Sequence, residues 1–251
     1  MTFILNEHEW ARDMIESRSL GKRPFETLCR VARYYIDEGY RKDEVRRLIE
    51  TFLLQCKPDA SPTLWMDTLD RAVSCAVKRP AVIIDKLVVT KPELDVIDRL
   101  SGVQVQRLAF TLLCLAKYYD AVNPRANHWV CADDHDIMAM ANIKNPIRRQ
   151  CELYRQLKEA GLISFSKRID NTNVCVLFIS NGETAMEISD LRNLGNQYLF
   201  MKGVPGYFRC TNCGTISRSM KRSVDKRVID KRGNATKWCV ECERNRSHSG
   251  V

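Results

Sequence analysis

Residues 157–179 read LKEAGLISFSKRIDNTNVCVLFI. The stretch starts at the end of a helical pattern that opens at Asn145-Pro146 and carries Ile147, Leu153, Tyr154 and Leu157 before Ala160-Gly161 closes it. Leu162–Ile169 and Val174–Ile179 are then alternating or apolar runs of strand length, and Asp170-Asn171-Thr172-Asn173 between them is a natural hairpin tip. Working upstream, residues 103–120 form an apolar helix with Val105, Leu108, Phe110, Leu112 and Leu115. His128–Cys131 is a short strand, and Asp133 and Asp134 stand where a helix bearing Ile137, Met138 and Met140 would be capped.

The order helix, strand, helix, turn, helix, hairpin resembles that of winged helix-turn-helix domains. LKEAGLI, Leu157 to Ile163, is similar to the end of a recognition helix passing into wing strands in that family. The resemblance implies a contact surface on the exposed face of the second motif helix and on the wing. Carried over by position, it nominates Lys144, Arg148, Arg149, Glu152 and Arg155, then Lys167, Arg168, Asn171 and Asn173. Arg148 and Arg149 fall near the helix N-terminus, from which side chains reach base edges in a major groove. Winged helices also dock proteins, and residues 101–180 carry a net charge of only +3.

The C-terminal segment holds the sharpest chemical signal. Cys210-Thr211-Asn212-Cys213-Gly214 and Cys239-Val240-Glu241-Cys242 are two C-x-x-C pairs separated by 25 residues. Two residues between cysteines let one tight turn offer both sulfurs to one ion, and Gly214 suits the positive φ of such a knuckle. The pairs resemble a zinc ribbon, with Cys210, Cys213, Cys239 and Cys242 holding one structural Zn²⁺ per chain. Four thiolates close the coordination shell against substrate water, and a segment this small needs the metal to fold. A redox reading lacks the βαβ context such a pair needs. Between the knuckles lie Arg218, Lys221, Arg222, Lys226, Arg227, Lys231, Arg232 and Lys237, opposed by Asp225 and Asp230. A hairpin carrying them would present a cationic edge to phosphates. A solvated basic loop is the plainer alternative.

The first hundred residues read as capped helices. Pro24 opens one that carries Phe25, Leu28, Cys29, Ala32 and Ile36 until Gly39. Val45, Leu48, Ile49, Phe52 and Leu53 mark a second, which Pro58 closes. Ser61-Pro62 starts a third with Leu64, Trp65, Leu69, Val73 and Val77. Residues 82–89 are β-like, and Thr90 with Glu93 fits a capping box. Phe25-Glu26-Thr27-Leu28, the helix end at Ala32–Gly39, Lys42-Asp43-Glu44-Val45 and the tryptophan helix resemble the helical module appended to phage and plasmid primases. A generic packing bundle shares much of that pattern.

Composition sets the outer limits. Of 251 residues, 45% are hydrophobic and 28% charged, which fits a globular chain and excludes collagen-like or wholly disordered readings. No stretch has the apolar length of a membrane span. The start, MTFILNEHEWARD, lacks the flank and core of a secretory signal, which predicts a cytoplasmic protein with reduced thiols. The net charge of +9 is concentrated, with +7 of it in residues 206–251.

Together these readings predict a mainly α chain with small β elements. A helical bundle at 1–89 precedes a winged helix-turn-helix domain at 90–180, a connector at 181–205 and a four-cysteine zinc ribbon at 206–251. Ala185–Asn193 is the connector's helix candidate, and Gly203 with Pro205-Gly206 its hinge. The whole resembles proteins of bacteriophages and integrated mobile elements whose biochemistry is undefined. That resemblance rests on Thr90-Lys91-Pro92-Glu93, Leu157–Phe165, Asp190-Leu191-Arg192-Asn193-Leu194-Gly195, Tyr198, Lys202-Gly203 and both knuckles. The expected function is non-enzymatic binding of nucleic acid, as double-stranded DNA, in replication initiation or transcription control in a bacterial host cell. Residues 1–89 would recruit a replication or transcription protein. A protein–protein adaptor with structural zinc is the first alternative. The second is a metal-dependent nuclease using Asp133-Asp134-His135-Asp136, residues that a helix cap also explains. No phosphate-binding loop, nucleophile elbow or H-E-x-x-H motif is present.

Overall fold

The computed structural model of the chain describes residues 3–167, 173–219, 228–229 and 235–248, the backbone alone at 228–229, 235–236 and 245–248. It divides into two compact units, Ile4–Asp85 and a second formed by Lys86–Val251 with Met1–Phe3. Helices dominate, with small sheets beside them.

In the first unit, Asn6 caps α1 (Glu7–Glu16) by accepting from the backbone N–H groups of His8 and Glu9, each at 3.1 Å. Pro24 opens α2 (Pro24–Asp37), and Gly39 at φ +93° follows its end. α3 (Lys42–Cys56) and α4 (Pro62–Lys78) complete the unit where their apolar spacing placed them. Leu28, Val31 and Ala32 of α2 meet Val45, Ile49, Phe52 and Leu53 of α3 and Leu69 and Val73 of α4 in one core. α1 is additional to the helices expected from sequence. Its first residue, Glu7, is buried and accepts from Arg30 Nε at 3.1 Å, Arg33 Nη1 at 2.5 Å and the Val82 N–H at 3.3 Å. Two guanidinium partners and an amide offset the desolvation of that carboxylate.

The second unit begins with β1 (Leu87–Thr90) and α5 (Lys91–Asp98). The capping box is present, with Glu93 Oε2 accepting the Thr90 N–H at 2.8 Å. Glu93 is fully buried, and its other oxygen takes the Ser180 N–H at 3.0 Å and Lys117 Nζ at 2.8 Å. Lys117 belongs to α6 (Val103–Val122), whose residues from Leu108 to Ala116 are all buried. A helix apolar on every side belongs in the middle of its unit, and α6 packs against most of the elements that follow.

Those elements are β2 (Trp129–Val130), α7 (Asp134–Met140), α8 (Ile147–Glu159), β3 (Ile163–Phe165) and β4 (Val174–Val176). The strands form an antiparallel sheet in the order β2-β4-β3, with Trp129 and Ser164 both opposite Cys175. α8 ends as expected: Gly161 takes φ +72°, and the Leu162 N–H returns to the Leu157 carbonyl at 3.0 Å. The strands are shorter than their apolar runs, and the tip at 168–172 lies outside the described residues.

Residues 181–205 carry two packed elements where a connector was expected. β5 (Thr184–Ile188) replaces the helix read at 185–193 and pairs antiparallel with β1, Leu87 opposite Ile188. Ala, Met and Glu favour helix there, but the open edge of β1 and burial of Ile188 decide for strand. α9 (Leu194–Met201) then packs on α6, with the Tyr198 ring 5.3 Å from that of Phe110 and its hydroxyl donating to Asp98 at 2.7 Å. The division between units also falls at Asp85/Lys86, so β1 goes with the second unit. The C-terminal elements are β6 (Tyr207–Arg209), β7 (Ile216–Arg218), β8 (Val228–Ile229), β9 (Ala235–Thr236) and α10 (Val240–His248). β6 pairs with β7 and β8 with β9.

Candidate metal centre and basic cleft

The first cysteine pair sits at the tip of the β6–β7 hairpin. Gly214, at φ +71°, closes the turn by donating to the Cys210 carbonyl at 3.0 Å. The second pair departs from the ribbon expectation. Cys239 precedes α10, its carbonyl accepting the Glu243 N–H at 3.0 Å, and Cys242 lies in the helix's first turn. Glu241 and Glu243 in that turn complement the helix dipole, which favours a helix over a second hairpin.

All four sulfurs lie within 4.8 Å of one another. Cys213 Sγ and Cys239 Sγ are 3.6 Å apart. A tetrahedral ion with about 2.3 Å bonds to sulfur sets its ligands about 3.8 Å apart, so the cluster fits one metal ion. The surrounding donors suit thiolates. Cys210 Sγ accepts the Cys239 N–H at 3.2 Å, Cys239 Sγ accepts the Cys242 N–H at 3.5 Å, and Asn212 Nδ2 donates to Cys242 Sγ at 3.3 Å. Burial pushes the Cys210 thiol up, yet backbone N–H groups of Cys213, Cys239 and Asn212 outweigh it and bring it down to about 6. Burial and the neighbouring thiols push Cys239 up to about 12. The Asn212 hydrogen bond and the Cys239 sulfur pull Cys242 down, but burial with the Cys213 and Cys210 sulfurs leaves it raised. Four sulfurs this close cannot all ionise without a cation among them, so the donor set matches a divalent metal.

The segment Asp190–Gly195 seats this cluster on the rest of the unit. Asp190 orients Arg192, whose Nη2 reaches the Cys213 carbonyl at 3.2 Å, and that hydrogen bond with Asp190 holds the guanidinium above its ordinary range. Asn193, at φ +52°, accepts from Asn142 Nδ2 at 3.0 Å and donates to the Ile216 carbonyl at 3.4 Å. At Gly195 a Cβ would stand 2.1 Å from the Ala141 carbonyl oxygen, so only glycine lets α9 approach the end of α7 so closely.

The nucleic-acid contacts expected from sequence divide. Lys144, Arg148 and Arg149 are exposed, and none has a carboxylate within 4.0 Å among the described residues. Arg155 is not free in this way. It is bound to Glu152 at 2.7 Å and also to Glu159, and its guanidinium holds the Glu152 carboxyl down at about 2. Lys167 is exposed, whereas Asn173 donates to Cys131 Sγ at 3.1 Å. Arg168, Asn171, Lys221, Arg222, Lys226, Arg227, Lys231 and Arg232 lie outside the described residues. Of the acidic run, Asp133 occupies the N-cap of α7 and Asp134 accepts the Tyr154 hydroxyl at 3.0 Å. The four residues 133–136 form no metal-holding group among the described residues.

Sequence reasoning missed a cleft of about 970 Å³ between the Asn142–Asn145 turn and the cysteine module. Arg107, Lys144, Arg192, Tyr207, Arg218 and Glu241 are among its lining residues. Lys144 and Arg218, nominated for separate surfaces, thus line one cleft. Arg107 carries no charge signature of its own in sequence, since it sits within an apolar helix. Comparison with family models, curated proteins and solved structures found no match.

Proposed function

We propose that the chain binds double-stranded DNA without catalysing a reaction, through a winged helix-turn-helix domain in which α8 is the groove-entering helix. The observation that carries this reading is Arg148 and Arg149, exposed in the first turn of α8 beside Lys144 and with no carboxylate within 4.0 Å among the described residues. Ile147, 77% exposed on the same turn, adds an apolar atom group suited to a thymine methyl. The element order α6-β2-α7-α8-β3-β4, with β4 central in its sheet, supports the fold. So does the Tyr154–Asp134 hydrogen bond, which ties α8 to α7 and leaves its basic turn outward. Specificity would come from α8, and cations of the cysteine module would neutralise neighbouring phosphates.

In this reading Cys210, Cys213, Cys239 and Cys242 hold Zn²⁺, the borderline-soft ion that suits four thiolates in a tetrahedron. The metal would supply folding free energy, and the chain's own amides and Asn212 would steady the sulfurs. A role in replication initiation or transcription control of a phage or mobile element rests on the sequence resemblance.

Anisotropy titrations of a labelled duplex across a salt series test the reading. Affinity should fall linearly on a log–log plot, and losing one phosphate contact should flatten the slope by about 0.9. Arg148→Ala with Arg149→Ala should cost about tenfold or more in affinity at unchanged melting temperature. Full retention of binding by that variant would overturn it. A second reading, a protein adaptor, is favoured by Leu64 and Met66 on α4, 84% and 50% exposed.

A further inference from the structure

We infer that the cleft between the Asn142–Asn145 turn and the cysteine module is a nucleotide subsite, taking a phosphate between Arg107 and Arg218 and its base beside Tyr207. The inference rests on the nucleic-acid reading above but concerns a different site, which shares Lys144 with it while Arg148 and Arg149 do not line the cleft.

Charge is the first argument. Arg107, Lys144, Arg192 and Arg218 line the cleft against one acid among the described residues, Glu241. Arg192 already holds Asp190. Arg107, Lys144 and Arg218 have no carboxylate within 4.0 Å among the described residues. Arg107 is the most telling of these. Its Nη2 donates to the Asn142 carbonyl at 2.5 Å, while its buried Nε has no hydrogen-bond partner among the described residues. Burial pulls Arg107 below its ordinary range, against the opposing effect of Tyr207 and with a smaller push in the same direction from the Arg218 charge. Cationic side chains that line one cleft repel one another, and an anion bound among them removes that cost.

Size and chemistry then select the anion. A cleft of about 970 Å³ falls within the range of pockets that take small ligands, about 300–1,000 Å³, so it has room for a nucleotide-sized group. Tyr207 brings an aromatic ring to the lining, and Asn196 and Ser217 add neutral hydrogen-bonding groups. A bare phosphate would leave the ring and amides unused. A nucleotide uses both halves, whether it comes as a free monophosphate or within a single strand.

Calorimetric titration of the full metal-loaded chain separates the outcomes. The probes are thymidine monophosphate and a 5′-phosphorylated thymidine trinucleotide, each repeated with Arg218→Gln and Arg107→Gln. Binding of the trinucleotide alone identifies a single strand as the source, and equal binding of the monophosphate identifies the free nucleotide. Either result, weakened about tenfold or more by Arg218→Gln, supports the subsite. Arg218 is exposed, so that variant keeps the test valid even where Arg107→Gln disturbs folding. Absence of binding by both probes, or unchanged binding in Arg218→Gln, overturns the inference. Duplex binding measured in parallel keeps the two proposals apart: its loss with trinucleotide binding retained removes only the groove-binding reading, and the reverse removes only the subsite.

Discussion

In the unit Ile4–Asp85, Leu28, Ile49, Phe52, Leu53 and Leu69 are nearly or wholly shielded from solvent, and four helices contribute to one apolar core. In residues 207–248 the described buried positions are Cys210, Thr215, Ile216 and Cys239. The first region excludes water with hydrocarbon. The second encloses sulfur, and its two cysteine pairs are joined by no comparable apolar cluster among the described residues. Apolar burial scales with the number of side chains that interlock, whereas a coordination shell concentrates its stabilisation on one point. The contrast teaches that the two regions should respond to different insults.

The sharpest test is metal removal. Chelation, or Cys239→Ser, should cost the cysteine module on the order of 10 kcal/mol and unfold it, with the helical unit intact. Amide resonances of 207–219 and 237–244 should collapse while those of α2–α4 stay dispersed, and unaltered spectra would erase the distinction. Next in size, Phe52→Ala should destabilise the helical unit by about 3–5 kcal/mol in denaturant melts while leaving one metal per chain. Gly195→Ala should cost about 1–3 kcal/mol in the second unit, because its methyl meets the Ala141 carbonyl and α9 must move. A shift of β6–β7 resonances in that variant would show that α9 transmits the strain to the module. Least affected should be Leu64→Ser, whose side chain is already in water and whose stability change should stay within about 0.5 kcal/mol.

How far the sequence could be read follows from where the information is local. α2, α3 and α4 were legible because Pro24, Gly39, Pro58 and Ser61-Pro62 punctuate patterns of helical spacing. Thr90 with Glu93 and the two C-x-x-C pairs were legible for the same reason, each a short motif with its own geometry. α1 escaped notice because its defining residue is a buried carboxylate, Glu7, whose arginine partners come from α2. β5 was misread because Ala185, Met186 and Glu187 suit a helix, and only the edge of β1, about a hundred residues earlier, makes them a strand. Of the site, the sulfur cluster was visible and the cleft was not. Arg107 looks like one more residue of an apolar helix until Asn142, Tyr207 and Arg218 are placed around it. The Asp190–Gly195 segment stood out as a pattern, but its meaning as the seat of the first knuckle is entirely tertiary.

α9 touches α6 on one side and β6 and β7 on the other. With Gly195 locked against α7 and Arg192 on the first knuckle, the basic turn of α8 and the sulfur cluster belong to one frame. Two tethered modules can adjust to targets whose half-contacts lie at varied separations. A single frame cannot, so on the proposed duplex-binding reading the footprint would have constant length, and base pairs inserted within it would abolish recognition even where they restore the helical phase.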